Sequence, residues 1–312
     1  MTSKRRRRAR RRAGKVVATR AEPTSPEDAT PEPSPPARRG ARSGAVTPSP
    51  FPPLPASLAR GLWSIAAVPL TLAWTFLSLL LTWAVFVALG KPPTAPLLAV
   101  LLSVSPAHLL VDLPVAFDAG GGVAILVALV ALALVRAVTF GLLLLLVQGW
   151  FQDGRVNLGA AVRRLPAALS GLFTVLLIEA GAMYALFTVA GGFLGQLAPL
   201  ALVAALYFLA FVPVVAVIEG SSLQQAFRRG FRASRLPGTR HLTLVMVYFL
   251  LFFYAASVSP FGIVTPATPG PLVWAFALVV TLIHAGTLGA LAYRWLVVRD
   301  QVSGDPAPRR SS

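Results

Sequence analysis

The sequence predicts an all-α, polytopic membrane protein with about six transmembrane helices, a parallel internal repeat and a disordered N-terminal tail. Two observations carry this prediction: the length of the apolar runs and the placement of the cations between them. Of the 312 residues, 56% are hydrophobic and 12% are charged, whereas soluble domains carry about 25% charged residues. A helix needs about 20 mostly apolar residues to cross a bilayer. The sequence contains six apolar runs whose lengths are close to this number or above it.

The first apolar run begins too far along the chain, and is too long, to be a cleavable signal peptide. It is therefore expected to stay as a membrane anchor. Pro213 lies in the fourth run and is expected to kink it. The predicted spans, all within a membrane domain at 61–298, are 62–89, 122–148, 168–193, 200–218, 241–258 and 272–297.

Residues 1–60 form an Arg-rich and Pro-rich segment that cannot bury a core, so it is predicted to be a disordered cytoplasmic tail. Residues 299–312 are predicted to be a second disordered tail. The arginine-rich head has three possible roles: adhesion to anionic lipid with control of orientation, binding of a polyanion such as nucleic acid, or docking on an acidic protein. No aromatic residue lies between the arginines, so base stacking is unsupported and lipid contact is favoured over nucleic acid.

The cations predict the topology. With the N-terminus inside, 26 of the 28 Lys and Arg residues fall on the inner side, in the N-terminal tail, in the loops 150–167 and 219–240, or after Tyr293. Lys91 alone falls outside, and Arg136 lies within a span. Cationic loops are retained in the cytoplasm, so both termini are predicted to be cytoplasmic. The composition, rich in Arg, Ala, Leu and Pro, is typical of GC-rich bacteria and points to a bacterial inner membrane.

Residues 97–117 are apolar enough to be a seventh span, but they contain Pro106, Asp112 and Pro114. A seventh crossing would invert the rest of the chain and place the arginines of the later loops outside. This segment is therefore predicted to be an external helix that either re-enters the bundle or lies on its surface.

The two cationic inner loops resemble each other. Residues 157–164 (NLGAAVRR) align with 222–229 (SLQQAFRR), and Asp153-Gly154 corresponds to Glu219-Gly220 with a one-residue slip. Each loop is flanked by two spans in the same orientation, which predicts a parallel repeat related by an axis along the membrane normal.

Each loop is predicted to contain a short helix that begins at Asn157 or at Ser222. One side of each helix is apolar and the other carries arginines, so the helices are expected to lie in the membrane interface over anionic lipid. An ordinary helix packed on the bundle is the alternative. The predicted anionic-lipid contacts are Arg163, Arg164, Arg228, Arg229, Arg232 and Arg235.

The run 211–220 (FVPVVAVIEG), followed by AFRRG at 226–230 and RASR at 232–235, resembles the membrane domain fused to some bacterial glycerophosphodiester phosphodiesterases. The resemblance covers roughly residues 60–298, and the first repeat copy lacks the proline. It implies a multi-span membrane module of the kind also found as stand-alone proteins. The sequence contains no phosphodiesterase domain with its metal ligands, so hydrolysis is not implied.

Two opposite charges fall in the middle of consecutive spans. Arg136 and Glu179 lie roughly 16–18 Å from the cytoplasmic ends of their spans at 1.5 Å per residue. A charge at mid-membrane costs at least about 2.5–3.5 kcal/mol, so the two are predicted to form an ion pair, either structural or at a transport site. His284 is a possible intramembrane polar site, and the neighbouring glycines at 286 and 289 suggest close helix contact.

No residues form a recognisable catalytic, metal or cofactor site, and the absence of cysteine excludes disulfides and thiol catalysis. The predicted function is a non-enzymatic membrane scaffold or accessory component that acts at the cytoplasmic lipid face. Its expected partners are the bilayer, anionic lipids, and a membrane or cytoplasmic protein. The alternative is a small-molecule or ion transporter with its site at Arg136 and Glu179.

Overall fold

The computed structural model describes residues 50–90, 99–100, 103–106, 122–189, 198–236, 240–257 and 270–303. Within these ranges the regular secondary structure is entirely helical, as predicted. The head at 1–49, Lys91 and Asp112 lie outside the described residues. The helices are α1 Leu54–Ala66, α2 Pro69–Ala88, α3 Gly122–Asp153, α4 Leu158–Val189, α5 Ala198–Leu209, α6 Val212–Glu219, α7 Leu223–Ser234, α8 His241–Ser257 and α9 Pro271–Ser303.

Four of these helices are long and apolar enough to cross a membrane, which agrees with the predicted class of membrane protein. They are α2, α3, the part of α4 from Leu158 to Ala182, and α9 to Val302. The predicted fourth span corresponds to the shorter helices α5 and α6, and the predicted fifth span to α8, which has 17 residues. The count of six crossings therefore stays a prediction.

The predicted first span is interrupted rather than continuous. Helix α1 begins at Leu54, so the predicted boundary between the tail and the membrane domain falls inside a helix. The helical structure is then interrupted at Ala67 and Val68 before α2 begins. Pro69 begins α2, where its missing N–H is not needed. The Thr71 hydroxyl lies 2.9–3.1 Å from the carbonyl oxygens of Ser64, Ile65 and Val68. The Val68 oxygen already accepts from the Leu72 N–H, so the single Thr71 hydrogen is available to the Ser64 or the Ile65 oxygen at the break.

The prediction of two separate short helices is wrong for the first loop. Residues 158–165 form the first turns of α4, which continues through Pro166. A proline removes one backbone hydrogen bond from a helix. Here both Pro166 and Val162, whose carbonyl loses that bond, are exposed, so the helix tolerates the proline. In the second loop α7 is a separate helix of 12 residues.

The predicted fourth span is broken next to its proline. The regular helix is interrupted by a turn at Ala210 and Phe211, although Phe211 keeps helical φ and ψ angles, and Pro213 lies in the first turn of α6. All residues from Val212 to Ile218 are buried, because α6 packs against α3, α4, α7 and α9. This short helix is therefore the centre of the described core.

Helices α1 and α9 pack very closely and run antiparallel. Arg60 hydrogen-bonds to Tyr293, and further along both helices Gly61 faces Gly286 and Ala290. A Cβ atom added to Gly61 would overlap the backbone of both facing residues. The close contact predicted from the small residues after His284 is thus present, and α1 is the helix that makes it.

The path from α1 through α2 crosses the length of α9. At the far end, the Trp83 and Trp274 rings meet edge to face at 5.2 Å between centroids. Helices α1 and α2 therefore pack along α9 one after the other, α1 on its C-terminal half and α2 near its N-terminus. The two helices together replace the single straight span that the sequence predicts.

Candidate functional site

A group of buried polar side chains lies in the middle of the bundle, around Arg136 of α3. This side chain is only 4% exposed, and its Nη2 atom donates to the Ser105 carbonyl oxygen at 2.5 Å. One turn further along α3, the Thr139 hydroxyl donates to the Ser103 carbonyl oxygen at 3.0 Å. Helix α3 thus supplies hydrogen bonds to non-helical backbone deep in the protein.

That backbone belongs to the segment predicted to re-enter the bundle or to lie on its surface. Ala99, Val100 and residues 103–106 are all buried, and they contact the middle of α3. For these residues the surface-lying interpretation is wrong, because their carbonyl groups need partners that only the bundle supplies. Residues 107–121 lie outside the described part of the chain.

Tyr248 of α8 and His284 of α9 close the group on the side of the later helices. The Tyr248 and Ser105 hydroxyls share a hydrogen bond, and the Tyr248 ring lies 5.4 Å from the His284 ring. His284 is buried and interacts with the Val100 backbone. Its Nδ1 atom has no hydrogen-bond partner among the described residues.

Glu179 of α4 is buried to the same degree as Arg136. Its charge lies close enough to act on the Arg136 guanidinium. The structure therefore places the two charges in one region, whereas a direct ion pair between them stays a prediction. We call the whole group the intramembrane polar cluster; its members are Ser103, Ser105, Arg136, Thr139, Glu179, Tyr248 and His284.

Sequence reasoning found the charged members of this cluster and missed the hydroxyl groups. Ser103 and Ser105 flank Val104 in an apolar segment that ends at Pro106, and this pattern was an available signal. Tyr248 gave no signal of its own, since a tyrosine in a membrane helix is usually placed near an end. Only the fold brings it to Ser105.

A column of hydroxyl groups runs along α2 from the level of the cluster. Trp74 donates from Nε1 to the Thr139 carbonyl oxygen at 2.9 Å, which sets that level. Thr75, Ser78 and Thr82 follow along the buried side of α2 toward the end at which Trp83 meets Trp274. Each hydroxyl donates to a carbonyl oxygen four residues earlier, at 2.7–2.8 Å.

The other predicted site is the set of loop arginines. The end of the bundle formed by the start of α1 and the end of α9 carries every described cation except Arg136, and we call it the cationic end. Its residues are Arg60, Arg155, Arg163, Arg164, Arg228, Arg229, Arg232, Arg235, Arg240, Arg294 and Arg299. Against these stand three described carboxylates at that end: Asp153, Glu219 and Asp300.

Two of the predicted lipid contacts have protein partners at the end of α6. Arg229 forms an ion pair with Glu219, the last residue of α6, and Arg164 donates to the Ile218 carbonyl oxygen at 3.4 Å. Cations at a helix C-terminus stabilise its unpaired carbonyl groups. The other four predicted contacts, Arg163, Arg228, Arg232 and Arg235, are exposed.

The apolar face of α7 packs on protein. Ala226, Gly230 and Ala233 are buried, and a Cβ atom added to Gly230 would lie 2.8 Å from a methyl group of Val212. This corresponds to the alternative of a helix packed on the bundle. Phe231 is 40% exposed on the same side as the arginines, where Arg235 lies over its ring.

Arg294 differs from the other cations at this end because it is fully buried. It donates to the Pro52 carbonyl oxygen at 3.1 Å and lies 4.5 Å from the centroid of Phe51. Phe51 in turn stacks on Phe211 at the break between α5 and α6. An arginine counted among the cations after Tyr293 thus anchors the chain that leads into α1.

No family model, curated protein or solved structure matches this chain. The resemblance to the membrane domain of the phosphodiesterases therefore stays a prediction. Among the described residues, no three His, Asp or Glu side chains lie close enough to hold a metal ion. The candidate sites are thus the intramembrane polar cluster and the cationic end.

Proposed function

We propose that the chain is a non-enzymatic scaffold or accessory protein of a bacterial inner membrane that binds anionic lipid at its cationic end. The observation that carries the proposal is the sorting of the described cations to one end of the bundle, with Arg228, Arg232 and Arg235 exposed beside Phe231. Arginine next to an exposed aromatic ring suits the headgroup layer. A membrane or cytoplasmic protein is the further partner expected at this end.

The cationic end faces the cytoplasm in this proposal, with both termini inside and six crossings. Three helices begin at this end, α1, α4 and α8, and three end there, α3, α6 and α9. Successive apolar segments would therefore cross the membrane in alternating directions. The bias of Arg toward the cytoplasm supports the orientation. For six crossings, α1–α2 and α5–α6 each form one broken path.

The parallel repeat is part of the same proposal. Asp153 and Glu219 are the last residues of α3 and α6, and each is followed by a glycine with positive φ, +65° at Gly154 and +56° at Gly220. A left-handed glycine is a common end to a helix. The agreement between these two helix ends supports duplication, together with the resemblance to the membrane module of the phosphodiesterases.

Lipid binding can be tested by reconstitution into nanodiscs that contain equal amounts of phosphatidylglycerol and phosphatidylcholine. Mass spectrometry of the lipid that stays with the protein is expected to show enrichment of phosphatidylglycerol. Each cation near a charged surface contributes about 1 kcal/mol. Replacing Arg228, Arg232 and Arg235 by Gln is therefore expected to reduce the enrichment at least about fivefold, the loss that corresponds to one such contribution.

The control removes the same number of charges elsewhere at the cationic end, with Arg155, Arg240 and Arg299 replaced by Gln. Enrichment should then change by less than half as much on a logarithmic scale. An equal loss in both variants would show that the net charge of this end holds the lipid, and not the particular group of Arg228, Arg232 and Arg235. No enrichment in the unmodified protein would refute the lipid role.

Transport through the bundle is the second candidate, favoured by the intramembrane polar cluster and the hydroxyl column of α2. Non-helical backbone at mid-membrane is tolerated where it is buried in protein or lines a path for solutes. In transporters the substrate site lies near the midplane at broken helices. Residues 103–106, held by Arg136 and Thr139, have this position.

A further inference from the structure

The chemistry of the intramembrane polar cluster restricts what it can bind. Its charged members among the described residues are one guanidinium, Arg136, and one carboxylate, Glu179. The cluster is therefore close to neutral as a whole. In a medium of low dielectric constant, adding an unpaired charge is strongly unfavourable. A ligand that enters must carry either no net charge or two opposite charges that match those of the site.

The available groups favour the second case. A guanidinium donates two parallel hydrogen bonds to a carboxylate, and the Glu179 carboxylate accepts from an ammonium group. The Ser105 and Tyr248 hydroxyls can donate or accept, and the buried Nδ1 of His284 has no partner among the described residues. We propose that the cluster binds a small zwitterion that carries one carboxylate and one ammonium group, as an α-amino acid does.

The groups of the cluster lie close together, so only a small ligand could contact several of them at once. Ser105 and Tyr248 are in hydrogen-bond contact, and the Tyr248 and His284 rings are 5.4 Å apart. Arg136 also reaches the Ser105 backbone. The ligand carboxylate takes the place of Glu179 as the counter-charge of Arg136, while Glu179 turns to the ammonium group. In this exchange the single predicted pair of Arg136 and Glu179 becomes two ion pairs, and the net charge of the cluster does not change.

The inference places ligand entry at the end opposite the cationic end, along the hydroxyl column of α2. Thr75, Ser78 and Thr82 lie at intervals of about one turn between the cluster and the Trp83–Trp274 contact. Each donates its hydrogen within α2, so its oxygen is the group that can accept from a ligand. This inference deepens the transport candidate and rests on it for the direction of entry. Binding itself can be tested without transport.

The test measures binding in detergent micelles with three probes of similar size: alanine, acetate and ethylammonium. Equilibrium dialysis with labelled probes gives the affinities of the full-length protein. Alanine is expected to bind at least tenfold more tightly than either ion. Glu179→Gln leaves a cation in the site, so acetate is expected to become the preferred probe. Arg136→Gln leaves a carboxylate, so ethylammonium is expected to be preferred.

Tyr248→Phe removes a single hydroxyl and keeps the ring, so it tests the site if either charge variant fails to fold. It is expected to weaken alanine binding at least fivefold. Thr281→Val is the matched control, since Thr281 is a buried hydroxyl of α9 that donates to Ala277 within its own helix. Alanine binding should be unchanged in that variant.

The inference is overturned if alanine binds no better than acetate and ethylammonium, or if the preference survives in a folded charge variant. It is equally overturned if Tyr248→Phe and Thr281→Val have the same effect. Uptake of labelled alanine into proteoliposomes is a separate measurement. Binding without uptake would retain the site and reject transport, whereas lipid enrichment at the cationic end depends on neither.

Discussion

Replacing Gly61 by Ala should destabilise the protein, because the added methyl group would push α1 and α9 apart. The added Cβ atom would lie 2.8 Å from Ala290 Cα and closer still to two other backbone atoms of α9. Ordinary van der Waals contact begins at about 3.4 Å. Backbone atoms cannot turn aside as a side chain can, so the two helices must separate by roughly an ångström.

Overpacking of this kind costs about 1–3 kcal/mol. The upper part of the range applies here, since a radial gap of about 0.5–1 Å forfeits a quarter to a half of the dispersion energy of each contact. Helix propensity acts in the opposite direction, because Ala is favoured over Gly in a helix by roughly 0.5–1 kcal/mol. The net loss expected for Gly61→Ala is thus about 1–2 kcal/mol.

Reversible denaturation in mixed detergent micelles, followed by circular dichroism, measures this free energy of unfolding. Gly181→Ala is the control, since Gly181 lies in α4 and an added Cβ atom would meet nothing within 4 Å. That variant should be more stable by roughly 0.5–1 kcal/mol. If Gly61→Ala were as stable as the control, the tight antiparallel contact of α1 with α9 would be refuted.

Three further predictions concern the cationic end and its orientation. Arg229→Glu should destabilise the protein by about 1 kcal/mol, and the additional change Glu219→Arg should restore most of the loss in the same denaturation assay; no recovery would exclude the ion pair. Gly220→Ala should lose about 1–2 kcal/mol because its φ of +56° is unfavourable for any residue with a Cβ atom, and Gly220→Asn should lose less. Since the chain has no cysteine, Arg228→Cys should be protected from a membrane-impermeant maleimide in intact cells, whereas Leu272→Cys at the other end should be labelled; the reverse pattern would invert the topology.

The sequence was sufficient for the class of the fold and for the long helices. Twenty or more apolar residues have few alternatives to a helix, because a helix pairs its own backbone groups. The bounds of α3 and α9 follow from this rule, although both extend beyond the predicted apolar runs, to Asp153 and Ser303. Their polar last turns lie at the cationic end, where water can solvate them.

Helix breaks were harder to predict, because apolar residues can surround a break as well as a helix. Nothing in the composition near Ala67 marks the interruption between α1 and α2, since Pro69 is also compatible with a kinked helix. The Thr71 hydroxyl supplies one hydrogen-bond donor at the break, within reach of the Ser64 and Ile65 carbonyl oxygens. Conversely, a proline usually interrupts a helix, but solvent exposure at Pro166 let α4 continue through it.

The candidate site was predictable only in its charged members. Arg136 and Glu179 stand out because a charge in an apolar run requires a partner, and depth arithmetic brings both to a similar level. Ser105 and Tyr248 are 143 residues apart and meet only through the packing of the segment 103–106 against α8. The loop arginines were all found in the sequence, but they do not share one role. The sequence pattern predicted lipid contact for all six, whereas in the structure Arg164 and Arg229 contact the end of α6.

Arg164 and Arg229 occupy equivalent positions of the proposed repeat, yet both act on the end of α6. Arg229 pairs with the acid of its own copy, Glu219, while Arg164 reaches across to the Ile218 carbonyl oxygen instead of its own Asp153. The difference follows from the helices: residues 158–165 are continuous with α4, whereas α7 is a separate helix that begins four residues after Glu219. Asp153 is exposed at the end of α3, so water can solvate its charge without an arginine. The two loops thus differ in structure where their sequences agree best.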